Sequence, residues 1–246
     1  MVYAASNISY FYFPWEYFLK TQKKRGIKTL DIYGSMPHFW IDEYSYNDSK
    51  LLNESLKKYG MEAKLFTPKA YNYCIFSPDE TYRKSSVSYY RNCIEFAKTA
   101  GIKNVCLLIP EAYADLQGKE LTKGLKLSLI ELSSFANEKG ICLLIEPAGF
   151  RMLATIKQIK ALIEEIKTYL IGISISMRRI KAYEKDNNFM QWFEHLGDYI
   201  KYVRIADYEE KHTLENSEYR GNRGVFITDD SLWDNPEKFD EPLLLE

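Results

Sequence analysis

The sequence predicts an α/β fold, a (β/α)8 TIM barrel in which eight parallel strands are each followed by a helix, with the final outer helix absent. Three observations carry that expectation. Short apolar runs alternate with longer amphipathic ones, the pattern of repeated strand–helix units around a parallel sheet. Several short runs, such as Val105–Ile109 and Ile141–Ile145, are almost continuously hydrophobic, as strands covered on both faces are. The length of 246 residues suits one such barrel, so a single domain over residues 1–246 is expected.

The strands are expected at Val2–Ser6, Thr29–Tyr33, Ala63–Phe66, Asn104–Ile109, Ile141–Ile145, Ile171–Ile175, Tyr202–Ala206 and Leu243–Leu245. Between them, Glu80–Ala100 carries Tyr82, Val87, Tyr90, Ile94 and Ala97 at helical spacing and ends at Gly101. The pattern recurs at Lys119–Lys139, followed by Gly140, and at Thr155–Tyr169, where Thr155 is a natural N-cap. A doubly wound open sheet would give a similar string, but it usually carries a Gly-rich phosphate turn after its first strand. Ser6-Asn7-Ile8-Ser9 has none. The polar stretch from Asp207 to Asp240 reads as a long loop, with at most one short helix around Asp230–Trp233.

Composition narrows the function classes. Lys plus Arg (33) nearly cancels Asp plus Glu (34), so the electrostatic footprint of a nucleic-acid or acidic-surface binder is absent. No stretch approaches the roughly 20 apolar residues that cross a bilayer, and the first residues lack a signal-peptide pattern. A cytoplasmic location is expected by default, with a small molecule or a protein as partner. Cys74, Cys93, Cys106 and Cys142 form no C-x-x-C pair and read as structural thiols.

Active sites of such barrels lie at the C-terminal ends of the strands. The polar residues there are Asp31, His38, Thr67, Asn72, Glu146, Ser176, Arg204, Asp207 and Glu246. Glu146 and Glu246 each directly end an apolar strand, where a carboxylate needs a partner or solvent.

The run Gly26-Ile27-Lys28-Thr29-Leu30-Asp31-Ile32-Tyr33-Gly34 is followed in order by Pro37-His38, Tyr71-Asn72-Tyr73, Ser77-Pro78-Asp79-Glu80, Ile145-Glu146-Pro147, Leu196-Gly197-Asp198 and Ile205-Ala206-Asp207. With the closing Leu-Leu-Glu, this series resembles the xylose-isomerase-like superfamily of sugar phosphate isomerases and epimerases, most closely the ketose and fructosamine 3-epimerases. The resemblance implies four metal ligands: a Glu after strand five, an Asp after strand six, a His on strand seven and a Glu after strand eight. It also implies that the two Glu residues exchange a proton beside a carbonyl while the metal stabilises the enediolate.

Carried over, Glu146 and Glu246 match the two acids. Ser176 replaces the Asp (Ser174, if the alignment shifts by two), Arg179 replaces a substrate-facing His, and Arg204 replaces the ligand His. A guanidinium offers only donors and a serine hydroxyl is a poor substitute for a carboxylate, so no metal and no other cofactor is expected. The resemblance then implies catalytic-type carboxylates at Glu146 and Glu246 and substrate-binding residues at His38, Asn72, Arg179 and Arg204. Arg204 is expected to fill the vacated metal position and bridge Glu146 and Glu246.

Two functions are compatible with this pattern. One is a sugar-binding protein that keeps the pocket of the isomerases and epimerases for a ketose, sugar phosphate or sugar-amine conjugate, with little or no metal-dependent turnover. The other is a metal-independent or metal-altered epimerase using Glu146 and Glu246 as an acid/base pair. The abasic-site endonuclease branch needs more His ligands than His38, His195 and His212 supply. A homo-oligomer is expected through the aromatic region of Tyr10, Phe11, Phe13, Trp15 and Phe18, which a missing final helix would leave uncovered.

Overall fold

The computed structural model describes residues 3–10, 12–41, 46–70, 73–109, 118–147, 153, 155–166, 171–176, 189–205 and 225–227. Eight strands close into a barrel in sequence order: β1 (Tyr3–Ser6), β2 (Thr29–Gly34), β3 (Glu62–Pro68), β4 (Asn104–Ile109), β5 (Cys142–Pro147), β6 (Ile171–Ser176), β7 (Ile200–Ile205) and β8 (Val225–Ile227). The first seven run parallel to one another, as expected. The eighth place differs from the expectation. It is held by Val225–Ile227, antiparallel to both β1 and β7, whereas Leu243–Leu245 lies outside the described residues. Three apolar residues inside a polar stretch are too short a run to give a periodic signal, which is why that stretch read as loop.

The helices are α1 (Trp15–Lys24), α2 (Tyr46–Tyr59), α3 (Glu80–Ala100), α4 (Gly118–Lys139), α5 (Ile156–Glu165) and a short one at Phe189–Leu196. Helix α3 starts where Asp79 accepts a 2.8 Å bond from the Tyr82 amide, and α5 starts at a capping box between Thr155 and Gln158. At the end of α3, Gly101 adopts φ 79°, a left-handed geometry that glycine takes without steric cost. The Ile102 amide then reaches back 2.8 Å to the Ala97 carbonyl, the Schellman bond that turns the chain into β4. No described helix is long and apolar enough to cross a membrane.

The larger core lies between sheet and helices, around Phe18, Leu30, Ile32, Phe66, Tyr90, Phe96, Leu143 and Ile173. A second cluster of Ala4, Leu65, Cys106, Leu144 and Tyr202 fills the lumen, so the barrel is packed and not a pore. Two irregularities set which residues face inward. Between β2 and β3 the register steps from Leu30–Ala63 to Asp31–Leu65, leaving Lys64 as an extra residue. Its carbonyl accepts 2.7 Å from Asn104 Nδ2 and 3.0 Å from the Tyr202 hydroxyl, which seals the lower lumen. Between β6 and β7 the step from Ile173–Ile200 to Ser174–Tyr202 leaves Lys201 extra. Bulges of this kind re-aim side chains; here Tyr202, and Arg204 two residues on, come to face the lumen.

Candidate functional site

Above the apolar lumen layer, the same inward-facing rows end in polar groups. Leu65 is followed on its face by Thr67, Leu144 by Glu146 and Tyr202 by Arg204, because side chains of a strand alternate with period two. These groups meet across the barrel. Arg204 Nε lies 2.6 Å from Glu146 Oε2, with side chains 14% and 4% exposed respectively. The same carboxylate oxygen accepts from the Ser174 hydroxyl at 3.2 Å and from the Cys106 thiol at 3.5 Å.

The other edge of the guanidinium is equally committed. Arg204 Nη2 donates 2.7 Å to Thr67 Oγ1, and the Thr67 hydroxyl donates 2.7 Å to Asp31 Oδ1. Contacts between charged groups and good acceptors at this range are the stronger class of hydrogen bond. One continuous chain, Glu146–Arg204–Thr67–Asp31, therefore runs from β5 through β7 and β3 to β2. Asp31 Oδ2 has no hydrogen-bond partner among the described residues.

The electrostatics follow from burial and from this chain. Burial pushes the fully enclosed Asp31 carboxyl up to about 6, against the lowering pull of Arg204 and of the Thr67 bond. Burial, reinforced by Glu146, drives the Cys106 thiol well above its ordinary value. Arg204 is also buried, which opposes its charge, but Glu146, Cys106 and Asp31 outweigh that effect and hold it above its usual value. It stays a cation throughout the working range of the protein.

Of the residues singled out in the sequence, Glu146 and Arg204 are thus brought together. Ser174, the alternative alignment, is the one that bonds to Glu146, while Ser176 is buried at the end of β6, in register with Arg204. His38 has other partners: Nε2 donates 2.8 Å to the Phe13 carbonyl, and Nδ1 lies 3.3 Å from Asn7 Nδ2. Its ring stands edge-on to Trp15 at 5.7 Å, and burial holds it below its ordinary value. Both ring nitrogens are used to tie the segment after β2 to the chain after β1. Asn72, Arg179 and Glu246 lie outside the described residues.

Sequence reasoning gave no role to three members of the cluster. Asp31 and Thr67 stood only among the polar strand residues, and Cys106 read purely as core, which its burial bears out without exhausting its contacts. The available signal was the period-two row: a lone acid inside Thr29-Leu30-Asp31-Ile32-Tyr33 must find a partner inside the barrel. Among the described residues, no three His, Cys, Asp or Glu side chains are grouped as a metal site.

A lumen whose polar layer lies at the C-terminal strand ends is the general arrangement of barrel active sites. The family model described as xylose isomerase-like TIM barrel matches residues 20–239. The chain belongs to that family. Among solved structures it is similar to 3-keto-D-glucoside 4-epimerase from E. coli, at 17% identity and a TM-score of 0.70 over 86% of this chain and 82% of that one. It is likewise similar to a probable 3-DHS dehydratase from Bacillus anthracis, at 13% identity and a TM-score of 0.70 over 98% and 90% of the two chains. A third is D-psicose 3-epimerase crystallised with D-fructose, at 14% identity and a TM-score of 0.67 over 82% and 72%. At these identities the likeness is one of fold. No curated protein matches the chain in sequence.

Proposed function

We propose that the chain is a sugar isomerase/epimerase-like protein that binds a small sugar or sugar derivative at the C-terminal mouth of the barrel, through a site in which an arginine has replaced the family's divalent metal. The observation that carries this reading is the 2.6 Å contact between Arg204 Nε and Glu146 Oε2. By the resemblance of its motifs to the family, Arg204 stands for a metal-ligating His and Glu146 for a metal-ligating Glu. A guanidinium has no lone pair to give a metal, and one held against the remaining carboxylate stands where a cation would bind. The donor set therefore does not fit a tight divalent site.

The fixed guanidinium takes over one task of a metal, the neutralisation of inward-facing carboxylate charge. It cannot open a coordination position for two substrate oxygens. That difference favours binding with little or no metal-dependent turnover. In this reading Asn72, Arg179 and Glu246 complete the pocket, with Glu246 as a second carboxylate for Arg204, and His38 contributes by holding the segment after β2 in place. The ligand is a ketose, a sugar phosphate or a sugar-amine conjugate, and the neighbours named for 3-keto-D-glucoside and D-psicose make keto sugars the first compounds to try.

The test combines ligand-observed NMR binding with a solvent-deuterium assay on a panel of ketoses, a ketose phosphate and a fructosamine. Saturable binding of at least one compound is expected, weakened tenfold or more by Arg204→Met, with no deuterium entering the carbon beside the carbonyl. Absence of binding across the panel would remove the sugar reading. Deuterium incorporation by metal-free protein would replace it with the metal-independent epimerase, in which Glu146 and Glu246 move the proton.

A further inference from the structure

We infer that Asp31 and Thr67 are positioning residues of the site: Asp31 fixes the direction of the Thr67 hydroxyl, and that hydroxyl holds the Arg204 guanidinium against Glu146. A threonine hydroxyl has one proton and two lone pairs. The two 2.7 Å contacts of Thr67 Oγ1, one to Asp31 Oδ1 and one from Arg204 Nη2, are compatible only if the proton goes to Asp31 and a lone pair faces the arginine. An arginine nitrogen is never an acceptor. Without an acceptor at Asp31 the hydroxyl would lose the group that keeps its proton turned away from the guanidinium.

Asp31 is fully buried and Thr67 nearly so, so they act through Arg204 and not by touching a ligand. Their reach is set by the fold. The extra residue Lys64 shifts β3 against β2 at Leu30/Asp31, which sets Asp31 opposite Leu65 and within bonding distance of Thr67, the next inward residue of β3. Protonation at Asp31 has a site that disturbs none of this. Among the described residues no donor lies within hydrogen-bond geometry of Oδ2, so a proton there leaves the Thr67–Oδ1 bond intact. The groups that bear on Asp31 are Ser6 from β1, Thr67 from β3, Glu146 from β5 and Arg204 from β7. Cys106 on β4 and Tyr202 on β7 feel its charge in turn.

The inference requires no particular ligand, and its test uses none. Arginine side chains labelled with ¹⁵N give an Nε–H signal for Arg204, identified by its loss in Arg204→Lys. In the parent protein that proton is expected to exchange slowly with solvent and its shift to carry the titration of Asp31 at about 6. Thr67→Val is expected to speed exchange tenfold or more and to uncouple the shift from that titration; Thr67→Ser restores both. Asp31→Asn keeps an acceptor for Thr67, so slow exchange survives while the titration disappears. Asp31→Leu loses both. An Arg204 Nε–H that exchanges equally slowly in Thr67→Val, or the same step at about 6 persisting in Asp31→Asn, overturns the inference. If an Asp31 variant fails to fold, the Thr67→Val and Thr67→Ser pair decides it.

Discussion

At the scale of single residues, the site is governed by what water can no longer do. With side chains 4% and 14% exposed, Glu146 and Arg204 compensate each other's lost hydration, and breaking such a pair leaves an uncompensated charge inside the protein. Arg204→Met is expected to cost about 3–5 kcal/mol of stability, read by urea unfolding. Adding Glu146→Gln to it should recover much of that loss, since removing both members of a buried pair is far cheaper than removing one. Asp31 makes the opposite kind of prediction. Its carboxyl is pushed from 3.8 to about 6 in the fold, so the folded state binds the proton more tightly than the unfolded chain. Its favourable contribution is fully present below the unfolded value and is lost as pH rises through about 6. Asp31→Asn, a neutral isostere, should therefore flatten stability between mildly acidic and neutral pH. At neutral pH it should raise stability over the parent by roughly 2–3 kcal/mol, following the free-energy equivalent of a pKa shift of about two units. An unchanged difference between parent and variant across that range would mean that Asp31 does not titrate there.

At the scale of elements, what could be read from the chain was what local chemistry specifies. Helix α3 was legible because Gly101 and the spacing of Val87, Tyr90 and Ile94 all speak of one helix, while its Asp79 cap emerged only in the structure. Helix α5 was legible at its start through Thr155, and Thr155→Ala should cost about 1 kcal/mol by removing the capping box. The bulges at Lys64 and Lys201 were not legible. Each is a choice between neighbouring registers made by packing in the lumen, and no residue on either strand announces it. Strand ends were blurred for a similar reason: Glu146 lies within β5, followed by Pro147, and not beyond it. Close packing at strand ends also explains a glycine. A Cβ on Gly34, the last residue of β2, would lie 2.4 Å from Phe66 Cζ and 3.2 Å from the Phe39 carbonyl oxygen. Phe66 is fully buried against Phe96 and has little room to turn. Gly34→Ala should therefore destabilise by about 1–3 kcal/mol, the usual range for overpacking, and a neutral result in thermal unfolding would mean that the Phe66 ring relaxes freely.

At the scale of the whole molecule, the site is a convergence of strands far apart in sequence, and this sets what the chain alone could tell. The family motifs gave Glu146 and Arg204 as site positions because each sits in a recognisable local string. They could not give the chain through Thr67 to Asp31, since that depends on four strands closing into a barrel. Ser174 is the serine that bonds Glu146, and this contact names the pair of substitutions that should rebuild a cation site. Ser174 on β6 and Arg204 on β7 both contact Glu146 Oε2, so Ser174→Asp with Arg204→His would bring a carboxylate and an imidazole to face the existing carboxylate. Three such donors suit a borderline divalent ion. Binding to the native state alone raises stability in proportion to the logarithm of metal concentration, by about 2.7 kcal/mol at a hundred times the dissociation constant. For a chain of this size that is a rise in Tm on the order of 5–10 °C. The double variant should show that rise with Mn²⁺ or Zn²⁺ and lose it with a chelator, while the parent protein and Ser176→Asp with Arg204→His should show less or none. A metal-dependent rise in the parent protein would contradict the replacement of the metal by Arg204. A flat response in the Ser174→Asp, Arg204→His variant would mean that Glu146 is not where the family's metal centre lay.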